Sequence, residues 1–231
     1  MADSRQPNAP LSEHRIPLGE RSGDVSAILI RPPSATSLYV LAHGAGAGMR
    51  HPFLGRMAEV LAERGIATLR YQFPYMERKV RRPDPPAVAV ATVRAAVALA
   101  HDLAPELPLI AGGKSFGGRM TSTAQAEAPL PDVRGLAFLG FPLHPPGKPA
   151  VTRGEHLGAV GVPMLFLQGD RDEFAEPILL RQVLRQLGPR ATLHLVNGGD
   201  HSFSVPKKSG RSAEDVFAEL ASTIVEWVER L

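Results

Sequence analysis

Short, continuously apolar runs alternate with longer stretches of helical period along almost the whole chain, and this alternation constrains the fold more than any other feature. "SLYVLAH" (37–43), "IATLRY" (66–71), "VRGLAFLG" (133–140) and "VPMLFLQG" (162–169) are apolar along most of their length, as strands covered on both faces must be. Residues 53–65, 86–103 and 176–188 instead space their apolar side chains for a helix, and the first and last of them stop at glycine. Two more runs, 107–113 and 191–198, are expected strands, and 116–126 is an expected helix. Near the C-terminus Ser212 and Asp215 pair as a helix cap, followed by Val216, Leu220, Ile224, Trp227, Val228 and Leu231 at helical spacing. Residues 14–18 and 26–31 are expected to form an antiparallel start. Strands alternating with helices specify an α/β fold, a mainly parallel twisted sheet flanked by helices on both faces. With 231 residues, no internal repeat and no dividing linker, one domain over 1–231 is expected, its first twelve residues forming a flexible tail.

Composition narrows the chemistry. The chain has no cysteine, which excludes disulfides, cysteine-based zinc sites and a thiol nucleophile. Its formal charge of +3 is too small to imply nucleic-acid binding without a local patch. His14, His51, His101, His156 and His194 show no ligand spacing, so neither metal nor cofactor is expected. The polar N-terminus has no signal-peptide core, and no apolar run is expected to approach the ~18 residues of a membrane span. A cytoplasmic protein without a membrane or nucleic-acid partner, monomeric or homodimeric, is the expectation.

The expected strand 107–113 runs into "GGKSFGG", which admits two chemistries. A phosphate-cradling loop needs Gly-x-x-x-x-Gly-Lys-Ser/Thr, and Pro108 stands where its first glycine belongs. A nucleophile elbow needs Gly-x-Ser-x-Gly between a strand and a helix, and Gly113-Lys114-Ser115-Phe116-Gly117 satisfies that pattern. A nucleophilic serine also needs a base and an orienting carboxylate, each downstream at the end of a strand. The strand at 162–169 ends in "GDRDEF", offering Asp170 and Asp172, and the strand at 191–198 ends in "NGGDHSF", offering His201. An oxyanion hole would take the N–H of Phe116 and one from "HGAGAG", where Ala45 and Gly46 are the alternatives.

These residues resemble the α/β-hydrolase superfamily, and within it the small cap-less serine hydrolases related to dienelactone hydrolase. The resemblance is carried by "LAHGAGAGM", "RYQFPYMERKVRRPDPP", "GGKSFGGRM", "GFPLHPPGKP", "LQGDRDEF" and "GGDHSF", from about Leu41 to Phe203. It implies an α/β-hydrolase fold without a substantial cap and a Ser115, His201, Asp172 triad, the family's Gly-x-x-Asp falling on Gly169 and Asp172. It departs from dienelactone hydrolase proper in having serine where that enzyme uses cysteine.

Two proline-rich stretches, 72–86 and 141–163, follow expected strands and should overhang the carboxyl edge of the sheet, where such folds bind ligands. Gly44, Gly46, Lys114, His144 and Tyr75 are therefore expected beside the substrate, with Lys114 solvated. His43 is expected to be structural. Arg78, Lys79, Arg81 and Arg82 read as a solvated cluster balanced by Glu77 and Asp84. The expected function is hydrolysis of a small ester or thioester, the alternative being a hydrolase fold kept as a non-catalytic binding module.

Overall fold

The structure, a computed structural model, describes residues 9–20 and 22–231. Eight strands appear: β1 Leu11–Pro17, β2 Asp24–Ile30, β3 Ser37–Ala42, β4 Ile66–Tyr71, β5 Leu109–Lys114, β6 Val133–Leu139, β7 Met164–Gly169 and β8 Ala191–Val196. The helices are α1 Pro52–Ala62, α2 Pro74–Glu77, α3 Pro86–Leu103, α4 Phe116–Glu127, α5 Pro177–Leu187 and α6 Ala213–Val228. The sheet order is β1-β2-β4-β3-β5-β6-β7-β8. β1, β2 and β4 pair antiparallel, and from β4 to β8 every pairing is parallel. The α/β-hydrolase arrangement expected from the sequence is thus present, with no large cap among the described residues.

Side-chain alternation along the strands builds two cores from one sheet. Leu38, Val40, Leu109, Ala111, Leu136, Phe138, Met164 and Phe166 face the layer that holds α3, α4 and α5. Tyr39, Leu41, Ile110, Ala137, Leu139, Leu165 and Leu167 face α1 and α6. A strand buried on both sides cannot alternate polar with apolar, which is why these runs are continuously apolar. Phe138 is the centre of an aromatic group, 4.8 Å from Phe166 and 5.2 Å from Phe141 between ring centroids. The expected cap of the last helix forms as a reciprocal box, with Asp215 N–H donating to Ser212 Oγ and Ser212 N–H to Asp215 Oδ2.

Several expectations change. Of the expected tail, residues 1–8 lie outside the described residues, while Leu11 and Ser12 belong to β1 and pair with Ile30 and Leu29. The 141–163 stretch contains a 3-10 segment over Thr152–Ala159, packed on α4. α3 does have the length and mean hydropathy, 1.3, of a membrane-spanning helix. Its alanines hid this, because they weigh little residue by residue and much over eighteen positions. The helix lays Ala89, Val90, Val93, Ala96, Val97 and Ala100 into the core beside the sheet.

Phe138 is fully buried among these rings. Its replacement by alanine should cost about 3–5 kcal/mol of stability, the usual loss for emptying an aromatic core position, read as a lowered urea midpoint.

Candidate active site

Ser115 joins β5 to α4 in a conformation that few residues other than glycine adopt, with φ 49° and ψ −114°. Such a backbone costs on the order of 1–3 kcal/mol and persists only when its surroundings hold it. Here they do. Ser115 N–H donates to the Leu139 carbonyl at 3.2 Å, tying the turn to the end of β6. A Cβ on Gly113 would lie 2.2 Å from the Ala42 carbonyl oxygen, and one on Gly117 would lie 2.5 Å from that of His43. Glycine at these two places lets β5 and α4 close against the end of β3, which leaves the serine hydroxyl pointing out of the carboxyl edge.

Two loops bring the partners. His201, after β8, places Nε2 2.9 Å from Ser115 Oγ and Nδ1 2.7 Å from Asp172 Oδ2. A carboxylate only accepts, so Nδ1 carries the proton and Nε2 is free to accept from the serine. Asp172, after β7, is 2% exposed. Its Oδ2 also accepts from Gln168 Nε2 at 2.6 Å and its Oδ1 from Phe174 N–H at 2.8 Å. The Phe174 ring lies against the His201 ring with centroids 4.2 Å apart. Asp170, the other acidic candidate, is engaged elsewhere: its Oδ1 accepts from Gly198 N–H at 2.8 Å and joins the two loops.

The turn after β3 lies over the serine. A Cβ on Gly44 would lie 3.8 Å from Ser115 Cβ. Gly46 N–H donates to Tyr75 Oη at 3.0 Å, whereas Ala45 N–H has no protein acceptor among the described residues. Phe116 N–H, the first of α4, has none either. His43 is fully buried, with Nδ1–H donating to the Gly44 carbonyl and Nε2 accepting from Phe73 N–H. Burial pushes its pKa down to about 4, so the ring stays neutral and structural, as expected.

Other expected site residues fall differently. His144 is 1% exposed, with its Nδ1 bonded to the Pro145 carbonyl and its Nε2 accepting from Glu176 N–H. It braces two loops and presents no ring nitrogen to a substrate. Tyr75 is buried and spends its hydroxyl on Gly46, so it shapes the turn. Lys114, expected to be solvated, is half-buried and its amine donates to the His201 carbonyl. Arg78 pairs with Asp84 at 2.8 Å as expected, but Glu77 serves Arg15 and Ser26 instead of the cluster. Gln168 and Phe174 were missed by sequence reasoning. Neither belongs to the serine, acid and base pattern, and nothing in "LQGDRDEF" distinguishes an orienting glutamine from a core one.

Residues 35–229 match a family model described as an alpha/beta hydrolase domain. Among solved structures, dienelactone hydrolase from Anabaena variabilis superposes with a TM-score of 0.75 at 21% identity, covering 96% of this chain and 98% of that one. A lid-less α/β serine hydrolase from Xanthomonas campestris gives 0.72 at 20% identity over 96% and 98%. At these identities the likeness is one of fold. Two Mycobacterium tuberculosis proteins bearing a phosphoribosyl transferase name are 28% identical over 204 residues, 85% of this chain and 43% of theirs. The chain therefore spans less than half the length of those relatives.

The buried His43 makes stability depend on pH. Its folded pKa, about 4, lies below the ordinary value of 6.5, so the unfolded chain takes up the proton first and stability is lost as pH falls from about 6.5 towards 4. A loss of about 2–3 kcal/mol is expected from this one ring. In His43→Gln, urea midpoints measured across that window should fall less steeply.

Proposed function

The chain belongs to the alpha/beta hydrolase family, and we propose that it is a serine hydrolase cleaving an ester or thioester of a small acyl compound through an acyl-enzyme. The observation that carries this reading is the unbroken hydrogen-bond path from Asp172 Oδ2 through His201 to Ser115 Oγ. A serine alcohol is a weak nucleophile at neutral pH and becomes useful only with a neutral base at its proton. His201 has that base's tautomer, imposed by Asp172, whose own oxygens are held by Gln168 and Phe174.

In this mechanism Ser115 Oγ attacks the carbonyl carbon as its proton passes to His201 Nε2. Asp172 steadies the imidazolium without taking its proton. The N–H groups of Ala45 and Phe116, both without protein acceptors among the described residues, receive the developing oxyanion. Gly46 is the weaker choice, since its N–H is given to Tyr75. The carbon–oxygen or carbon–sulfur bond to the leaving group breaks as His201 returns the proton to that group. Water, deprotonated by the same nitrogen, then attacks the acyl carbon and frees Ser115.

The site opens at the sheet edge. A cavity of about 270 Å³ lined by Phe53, Ser202, Phe203, Val205, Arg211 and Phe217 abuts the His201 loop, yet neither Ser115 nor Asp172 lines it. The lack of a large cap among the described residues favours a small acyl group or broad tolerance over a long, enclosed chain. None of these steps calls for a cofactor.

Purified protein should be labelled covalently by a fluorophosphonate probe, and Ser115→Ala should abolish the labelling. A folded wild-type protein that resists the probe would overturn the assignment. Asp172→Asn should reduce turnover of the best ester in a panel of graded acyl length by about 10,000-fold, through loss of the correct tautomer.

A further inference from the structure

Lys114 takes no part in the steps above, yet its amine lies among the groups that perform them. β5 ends on this residue, immediately before the serine. Its Nζ donates to the His201 carbonyl at 2.5 Å and lies 5.4 Å from the centroid of the Phe203 ring. It also shares the space over Gly140 with the acid and the base. A Cβ on Gly140 would lie 2.9 Å from Lys114 Nζ, 3.4 Å from His201 Nδ1 and 3.5 Å from Asp172 Oδ2. The missing side chain at Gly140, whose φ of 71° suits glycine, gives the amine its room.

The surroundings of the amine fall on four elements. The loop after β7 offers Asp172, and the loop after β8 offers Asp200 and His201. The end of β6 contributes uncharged Gly140, and the turn after β3 sets Gly44 against the lysine stem. Burial draws the amine's pKa down to about 8, while the Asp172 and Asp200 carboxylates pull it back up. The group is thus charged at neutral pH, half-buried and beside the carboxylate that hydrogen-bonds His201.

Two effects follow from that placement. His201 stands on a loop containing Gly198 and Gly199, and a bond to its carbonyl from the end of β5 ties base and nucleophile to one strand. The ammonium also stands beside Asp172, so it shares the field of that carboxylate with any positive charge that develops on His201 during turnover.

We propose that Lys114 is a positioning residue of this site, which holds His201 against Ser115 through its backbone carbonyl and sets a positive charge beside the Asp172–His201 pair. The proposal rests on the serine-hydrolase reading. Fluorophosphonate labelling itself supplies the measurement, as second-order rates from roughly pH 5 to pH 9 for wild type, Lys114→Met and Lys114→Gln. Urea unfolding establishes that each variant is folded, and the glutamine variant decides if the methionine variant is not. Removing the charge should move the acid limb upwards by about one pH unit in both variants. On the alkaline plateau the methionine variant should label about tenfold more slowly, and glutamine, which can still donate to the His201 carbonyl, should recover part of the loss. An acid limb that stays at its wild-type position in the folded neutral variants overturns the proposal, because a merely structural lysine would change rates without moving it. Wild-type protein that does not label, or labelling that survives Ser115→Ala, instead overturns the serine-hydrolase reading and takes this proposal with it.

Discussion

The close approach of three chain segments at Ser115 is the constraint on which the rest of the site depends. Gly113 lies against Ala42 and Gly117 against His43, and Ser115 N–H reaches the Leu139 carbonyl. These contacts hold a backbone that would relax if released. They also fix the hydroxyl relative to β3 and β6, the two strands that flank β5. Every partner of the serine then has only to arrive at the same edge of the sheet.

They arrive through a buried polar framework in which each loop is fastened to another. Asp170 accepts from Gly198, Asp172 accepts from Gln168 and Phe174, His144 receives Glu176 N–H, and Lys114 donates to His201. Buried polar groups without partners would cost about 1–3 kcal/mol each, so the framework specifies loop positions as firmly as the apolar core specifies strand positions. His43 works in the same way on the other side of the serine, joining the turn after β3 to Phe73. Ala45 N–H and Phe116 N–H have no protein acceptor among the described residues, and the proposed mechanism uses both.

Much of this was legible without coordinates. Strand and helix positions followed from apolar run length and period, because a strand covered on both faces and an amphipathic helix leave different patterns. Ile66–Tyr71 and Pro86–Leu103 fall on the expected residues, and other boundaries move by a few positions, as at β7, which begins at Met164 instead of Val162. Ser115, Asp172 and His201 were candidates because a nucleophile, its acid and its base are expected at strand ends in that chain order, and the structure brings the three side chains into hydrogen-bond contact. Lys114, His144 and Tyr75 were placed in the right region with the wrong neighbours. Their chain positions said which edge they occupy, but hydrogen bonds to Gly46, Glu176 and the His201 carbonyl are decided by loops distant in sequence.

Local pattern carried the sheet and the strand–turn–helix at Ser115, and it named Ser115, His201 and the Asp170/Asp172 pair as candidates through periodicity, glycine at tight passages and chain order. Only the folded chain shows that His201 bonds to Asp172 while Asp170 serves Gly198, and that Gly46 N–H is given to Tyr75 while Ala45 N–H has no protein acceptor among the described residues. It also shows that the lysine beside the serine turns inward. All three are choices between neighbouring groups of similar chemistry, and what separates them is a partner across space: His201 for Asp172, Tyr75 for Gly46, and the histidine's own carbonyl for Lys114.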